Sequence, residues 1–418
     1  MTFINLKHIP KKDDVICQYK ITPTRGKSFR EVVDAVVGES SIGTWTEIST
    51  MKKRISKDLA PKAYYIDKKN NRVRIAYPIE LFELGNLPEI MSSIGGNIFG
   101  MKSVKGLLWE DIQIPKKMLD SFKGPRFGIE GLREKFKVKD RPFVGTIIKP
   151  KVGLNEREHA KVAYNAWKGG CDIVKDDENL TSQDFNKFKK RFLLTTKLRE
   201  KAEKETGEKK AYLINCTAET KMMEERIKFV EKNHGNYIML DILTLGWAGL
   251  QTARNLTKLP IHAHRAGHAM FDRNPNHGMS MEVLAQLSRM VGVDTLHIGT
   301  VVGKMVGKKE EVLHIEKEIE QKFTKKTREH LTQKWFNVKP VLAVASGGIH
   351  PGMVDKIMKN MGKDIVLQAG GGIHGHPLGT KAGARAMRQA VDATMERIPL
   401  NKYAKTHIEL EEALWKWI

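Results

Sequence analysis

A recurring rhythm constrains this chain more than any other feature. From residue 143 onward, short apolar runs return about every 25 to 40 residues, and an amphipathic stretch follows most of them. The runs occupy 143–148, 172–175, 211–216, 237–241, 261–264, 295–298, 341–345 and 365–368. Each is strand-length, and strands separated by helices pair in parallel, because a parallel neighbour needs a crossover. Eight such units predict a closed α/β structure, the (β/α)8 TIM barrel. A doubly wound open sheet would share the alternation. Against it, no GxGxxG turn follows the first run, and the span of about 250 residues fits an eightfold barrel. The helix after the first run is the clearest of the set. Asn155 can cap it, Glu158 can reach back to the cap, Ala160, Ala163, Tyr164 and Trp167 share a face, and Gly169-Gly170 ends it.

Residues 1–124 lack this rhythm. Alternating runs at 15–22, 44–49, 63–67, 72–77 and 107–114 read as strands, and 29–37 and 87–94 read as helices, which predicts a small α+β domain. The segment 124–141, with its glycines, proline and alternating charges, reads as the connection between domains. The expected organisation is therefore an N-terminal α+β domain over 1–124 and a barrel with C-terminal helices over 125–418.

Bulk properties exclude several classes. No stretch approaches the roughly 18 unbroken apolar residues of a membrane span, and Lys7, Lys11 and Lys12 interrupt any hydrophobic segment of a signal peptide. Cys17, Cys171 and Cys216 are far apart and form no CxxC pair, so neither a disulfide framework nor a zinc site is encoded. A cytoplasmic protein without a membrane partner is expected. Lys+Arg 72 against Asp+Glu 49 leaves a net charge of +23. That surplus attracts polyanions, whether nucleic acid or a phosphorylated small molecule. The basic residues are spread along the chain without an aromatic-interleaved motif, so most read as a solvated surface.

In a TIM barrel, chemistry gathers where strands end. The first run ends in Lys149-Pro150-Lys151, the second in Lys175-Asp176-Asp177-Glu178-Asn179, and the fifth in His262 and His264-Arg265. His297 ends the sixth, followed by a segment reaching Lys304, while the last two supply Ser346-Gly347-Gly348 and Gln368 with Gly370-Gly371-Gly372. Any one of these reads as a turn or capping cluster when taken alone. Six on one predicted rim point to a site.

Asp177 and Glu178 offer oxygens to a hard divalent ion such as magnesium. Lys175 would repel that ion unless its amine is neutral and has reacted with carbon dioxide to form an anionic carbamate. Keeping an ordinary lysine unprotonated at pH 8 costs about 3 kcal/mol, which metal binding would have to offset. The plainer reading is an ion pair between Lys175 and a neighbouring carboxylate, and the residues alone favour it. The two glycine-rich segments bring bare backbone N–H groups to the rim, which suits a phosphate, although turns need glycines too. Arg265 and His297 could hold a second phosphate. Lys304, between Gly303 and Gly307, sits where a lid could hinge, or is an ordinary loop lysine. His262, His268 and His277 read as structural.

Together these motifs resemble the large subunits of ribulose-1,5-bisphosphate carboxylase/oxygenase (RuBisCO), most closely the archaeal form III group. The resemblance runs from about Glu39 to Met387. It is carried by ESSIGTWT from Glu39, GGNIFG from Gly95, GTIIKPKVGL from Gly145, GGCDIVKDDEN from Gly169, HAHRAGHA from His262, HIGTVVGK from His297, ASGGIHP from Ala345 and LQAGGGIHGHP from Leu367. It implies a ferredoxin-like N-terminal domain before the barrel. It further implies that Lys175, as a carbamate formed by activator CO2, holds Mg2+ with Asp177 and Glu178 and takes the C3 proton of ribulose 1,5-bisphosphate to give the enediolate. Lys149 then resembles the acid that protonates the cleaved product, supported by Lys151. Lys304 would orient the incoming CO2, and His264 would assist proton traffic.

By the same resemblance Arg265 and His297 bind one phosphate, and Thr44, Trp45, Gly348, Gly370 and Gly371 the other. Gly347 and Gln368 line the same substrate site, Ser346 contacts a substrate hydroxyl, and Glu39 and Asn97 come from the N-terminal domain of a neighbouring subunit. A homodimer with shared sites follows, able to assemble further, with no small subunit and no nucleic acid expected. O2 attacks the same enediolate, giving an oxygenase side reaction, and the form III likeness points to nucleotide (AMP) salvage. Val306 and Gly267 depart from residues common in relatives, which bears on loop closure. A RuBisCO-like enolase or isomerase of a methylthio sugar phosphate is the first alternative, disfavoured because Lys149, Lys304, Thr44, Trp45, Asn97 and His264 all remain. A non-enzymatic polyanion binder is the second, and it leaves the rim motifs unexplained.

Overall fold

The computed structural model describes residues 2–302 and 309–418, so Lys304 and Val306 lie outside the described residues. By contacts the chain divides into two compact units. The first holds residues 1–124 together with 267–291 and 321–338, and the second holds 125–266, 292–320 and 339–418. The two later segments of the first unit follow barrel strands in sequence, so chain order alone does not separate them from the barrel.

In the first unit, strands β1 (Val15–Pro23), β2 (Lys62–Asp67), β3 (Arg72–Tyr77) and β4 (Val104–Gln113) form an antiparallel sheet in the order β4-β1-β3-β2. Helix Phe29–Glu39 joins β1 to β2, and helix Leu87–Ile94 joins β3 to β4. This is the ferredoxin-like arrangement that the resemblance implied. The short β10 (Gly278–Met279) adds to the edge, pairing in parallel with Leu108 and Trp109 of β4. β12 (Phe323–Thr324) and β13 (Gln333–Lys334) make a separate hairpin.

One expected strand is absent. Residues 44–49 run as bends and turns, all exposed, with Trp45 at 91%. Alternation stabilises a strand only when one of its faces can be buried, and this segment buries neither.

The second unit is the barrel. β5 (Phe143–Ile147), β6 (Ile173–Lys175), β7 (Ala211–Asn215), β8 (Tyr237–Asp241), β9 (Ile261–His264), β11 (Thr295–Gly299), β14 (Leu342–Ser346) and β15 (Ile365–Ala369) close into a ring. Every neighbouring pair in it is parallel. The expected capping box forms at helix Glu156–Gly169, with Asn155 and Glu158 bonding reciprocally. The helix ends at Gly170, whose φ of +120° suits only glycine.

The segment 124–141 is more than a connection, because it contains helix Gly128–Phe136. Its Ile129, Leu132 and Phe136, one face at helical spacing, pack with Phe143, Ile173, Ala211, Tyr237 and Leu342 from the beginnings of the strands. That end of the barrel is thereby filled with apolar side chains, which leaves the opposite end for polar ones. Among the described residues, no helix is long and apolar enough to cross a membrane.

Candidate functional site on the barrel rim

Because all eight barrel strands run in one direction, their C-terminal ends form a single rim. Ile173 belongs to the barrel's apolar core, so Lys175, two residues on, shares its inward face. The Lys175 side chain is 0% exposed. Its Nζ donates to the Asp176 carbonyl at 2.8 Å and stands 3.9 Å from Glu178 Oε2. Burial pushes the amine's pKa down, against the opposing pull of Glu178, Asp241, Asp177 and Asp176. A less basic amine is more readily available as the free base, the form that adds carbon dioxide.

Asp176 turns the other way, into the helical layer. Its carboxylate accepts from Arg191 at 3.0 Å, from the Tyr212 hydroxyl at 2.7 Å and from the Asn215 backbone at 3.1 Å. Although burial opposes ionisation, Arg191 and His159 hold this carboxyl well below the usual range. Asp176 thereby anchors the segment that presents Lys175, Asp177 and Glu178.

Asp177 and Glu178 draw in the rest of the rim. Lys149 Nζ lies 2.6 Å from Asp177 Oδ2, and Lys151 Nζ lies 3.7 Å from Glu178 Oε1. Burial would raise the Glu178 carboxyl, but His264 and Lys175 hold it down to about 2. His264 places Nε2 at 3.7 Å from Glu178 Oε2 and Nδ1 at 2.8 Å from Asp241 Oδ1. Further round, His297 meets Ser346 Oγ at 2.8 Å through Nδ1 and His262 at 2.9 Å through Nε2. His262 is structural, as expected, bridging His297 to Thr295 Oγ1 at 2.8 Å. Burial, with the neighbouring cationic groups, pushes both imidazoles well below their usual range. Arg265 is half-buried beside them, its NH2 3.1 Å from where a Cβ on Gly299 would lie.

Gly347 and Gly348 take φ of +115° and +76°, conformations that a side chain would strain. A Cβ on Gly371 would meet open space, and one on Gly370 would lie 3.1 Å from Lys149 Cε. Gln368 is buried with neither amide atom bonded to a protein partner. A buried amide left unpaired is costly, and a ligand at this rim would relieve that cost.

In the first unit, Asn97 Nδ2 approaches Glu39 Oε1 at 3.4 Å. Glu39, Thr44 and Trp45 line a groove of about 750 Å³. Gly267 sits at φ +83°, a conformation that favours glycine. The sequence reading missed Asp241, Asn215 and the Arg191–Asp176–Tyr212 cluster. Asp241 and Asn215 end β8 and β7, so the rule that found the other rim clusters reaches them too. Arg191 and Tyr212 carry no such signal.

Lysine amines set against carboxylates, an Asp–His pair and two glycine-rich loops on one barrel rim define the class: a (β/α)8-barrel enzyme whose rim carries groups suited to acid–base chemistry. Comparison with known proteins narrows this. Residues 128–417 match the catalytic domain, and residues 2–118 the N-terminal domain, of the ribulose bisphosphate carboxylase large chain. A ribulose bisphosphate carboxylase of Methanosarcina mazei is 49% identical over 100% of this chain and 99% of its own. One from Methanocaldococcus jannaschii is 48% identical over 100% of both. Among solved structures, the dimeric archaeal Rubisco of Hyperthermus butylicus superposes with a TM-score of 0.94 at 47% identity, covering 99% of this chain and 98% of that one. The octameric enzyme of Pyrococcus horikoshii gives 0.92 at 43% identity, covering 99% and 96%. The chain belongs to the ribulose bisphosphate carboxylase large-chain family.

Proposed function

We propose that this chain carboxylates ribulose 1,5-bisphosphate, adding CO2 and water to give two molecules of 3-phosphoglycerate, with O2 as a competing substrate in a side reaction. The observation that carries this reading is Lys175, an amine fully buried among carboxylates on a barrel rim. A lone ammonium there would serve only as an ion-pair partner. As a carbamate it becomes an anionic oxygen donor beside Asp177 and Glu178, and this set of hard oxygens fits Mg2+. Bound there, the ion would supply Lewis-acid stabilisation of negative charge developing on substrate oxygens.

The chain's own groups take the remaining roles. The Lys175 carbamate removes the C3 proton. His264, oriented through Nδ1 by Asp241 at 2.8 Å, relays protons at the substrate hydroxyls. Lys149 protonates the cleaved product, and Lys151 adds positive charge beside it. Arg265 and His297 clamp one phosphate, while Gly347, Gly348, Gly370 and Gly371 receive the other through backbone N–H groups, with Ser346 and Gln368 on substrate oxygens. Lys304 orients the incoming CO2. Glu39, Thr44, Trp45 and Asn97 of a second copy finish the site, so the working form is a homodimer, able to associate further and needing no small subunit. The dimeric and octameric relatives support this assembly. A cytoplasmic role in AMP salvage is the pathway proposed.

The deciding experiment incubates the protein with Mg2+, bicarbonate, ribulose bisphosphate and labelled CO2. Labelled 3-phosphoglycerate is expected, and it is expected to vanish in Lys175→Ala while the variant stays folded. Its absence from the wild type, with turnover of a methylthio sugar phosphate instead, would leave the enolase reading. Turnover by Lys175→Ala would refute the carbamate.

A further inference from the structure

The two glycine-rich rim loops form one piece of backbone. A Cβ on Gly372 would lie 2.1 Å from the Ile349 carbonyl oxygen and 2.8 Å from His350 Cα, so the loop after β15 is pressed directly onto the loop after β14. Gly383 is pressed in the same way on the Ile373 carbonyl, where a Cβ would lie 2.0 Å away. Such packing fixes the loops relative to each other. Gly383 belongs to the helix Gly379–Met395, so that helix holds the inner side of the pair and leaves the outer side to another element.

The outer side of this pair is covered by the helix Ile408–Trp417. The Trp417 indole stacks on His350 with ring centroids 5.7 Å apart and planes at 25°, and leans on His376 at 6.4 Å. Lys416 Nζ donates to the Gly375 carbonyl at 2.5 Å, and a Cβ on Gly352 would lie 2.4 Å from Ile418 Cδ1. The helix is itself secured at its start. His376 Nε2 donates to the Glu409 carbonyl at 2.8 Å, and Gln389 bonds both the Glu409 carboxylate and the Leu410 N–H. His350 is the telling residue, because its Nδ1 is buried without a hydrogen-bond partner. With no bond at that nitrogen to orient the ring, the stack against Trp417 is what holds it.

We propose that Trp417 is a positioning residue for the substrate site: by clamping His350 and His376 it sets the place of the glycine loops that receive a phosphate. This deepens the reading of Gly348, Gly370 and Gly371 as phosphate ligands and rests on it. An indole contributes a rigid apolar plate at small entropic cost, which suits a clamp better than a flexible side chain. Loops held this way bind an anion without first having to be ordered.

The test compares full-length wild type with Trp417→Ala, Trp417→Phe and Lys416→Met, measuring kcat, KM for ribulose bisphosphate, competitive inhibition by inorganic phosphate and the thermal midpoint. Trp417→Ala is expected to raise KM and the phosphate inhibition constant about tenfold while kcat stays within about twofold. Trp417→Phe, which keeps an aromatic plate, is expected to recover most of that loss, and Lys416→Met to show a smaller shift in the same direction. If Trp417→Ala does not fold, the Phe and Lys416 variants carry the test through the same two constants. Unchanged KM and phosphate inhibition across the folded variants overturns the positioning role, whatever the thermal midpoint does. A wild type that turns over the bisphosphate but ignores inorganic phosphate overturns the phosphate reading instead, so the two failures are distinct.

Discussion

Replacing Gly145 by alanine probes the rim and its support at once. Gly145 lies in β5 in register with Gln368 of β15. A Cβ there would stand 2.3 Å from Gln368 Oε1, 3.0 Å from its Cδ and 3.3 Å from Val366 Cγ1. Ordinary contact begins near 3.4 Å, so the Gln368 amide has to retreat by about 1.1 Å, the difference between 3.4 and 2.3. The clashing atom ends a flexible side chain that has no hydrogen bond to break. The cost in stability therefore falls at the lower end of the overpacking range, about 1 kcal/mol. The cost in rate is expected to be larger, because on the proposed reading Gln368 contacts substrate, and displacing such a group by about 1 Å reduces turnover on the order of 100-fold. Thermal unfolding and steady-state carboxylation of Gly145→Ala measure the two separately. A small drop in midpoint with a large drop in kcat/KM is expected, and adding Gln368→Ala should restore the midpoint but not the rate. A Gly145→Ala enzyme with wild-type kcat/KM would refute the placement of Gln368 in the substrate site.

Two further predictions use other parts of the second unit. Glu316 is buried, one of its carboxylate oxygens has no partner, and burial pushes its pKa up to about 8. The folded chain then keeps this proton through neutral pH while the unfolded chain loses it near 4.5, so stability falls as pH rises across that window. The loss is about 5 kcal/mol at most, and Glu316→Gln should flatten the pH dependence of the unfolding midpoint between pH 5 and pH 8. An unchanged pH dependence in that variant would show that Glu316 does not titrate in the window. Asp241→Asn keeps an acceptor for His264 Nδ1 but removes the charge, so kcat should fall about 100-fold with the fold intact. Wild-type turnover in Asp241→Asn would remove His264 from the proton relay.

Periodicity made the barrel legible before any coordinates, because strands buried on both sides must be short, apolar and separated by helices. The runs 237–241 and 261–264 coincide with β8 and β9, and the other six differ from their strands by a residue or two. The helices Phe29–Glu39 and Leu87–Ile94 were legible for a related reason, since each shows its own apolar face. Residues 44–49 misled because alternation was present without any surface to cover it. Helix Gly128–Phe136 was hidden among glycines and charges, and only the open end of the barrel explains why its apolar face exists.

The candidate site divides in the same way. Residue types at strand ends announced Lys149, Lys175, His264, His297 and the glycines, because a strand's end is fixed by its sequence. Which of these meet was decided by the ring. The pairing of Lys149 with Asp177, of His264 with Asp241 and of Ser346 with His297 joins residues from different strands, and no local pattern encodes their distances. The burial that lowers the basicity of Lys175 is likewise a property of the closed barrel. Sequence alone determined which chemical groups the rim would carry. Tertiary structure decided their partners and their proton affinities, because both depend on neighbours brought together only when the sheet closes on itself.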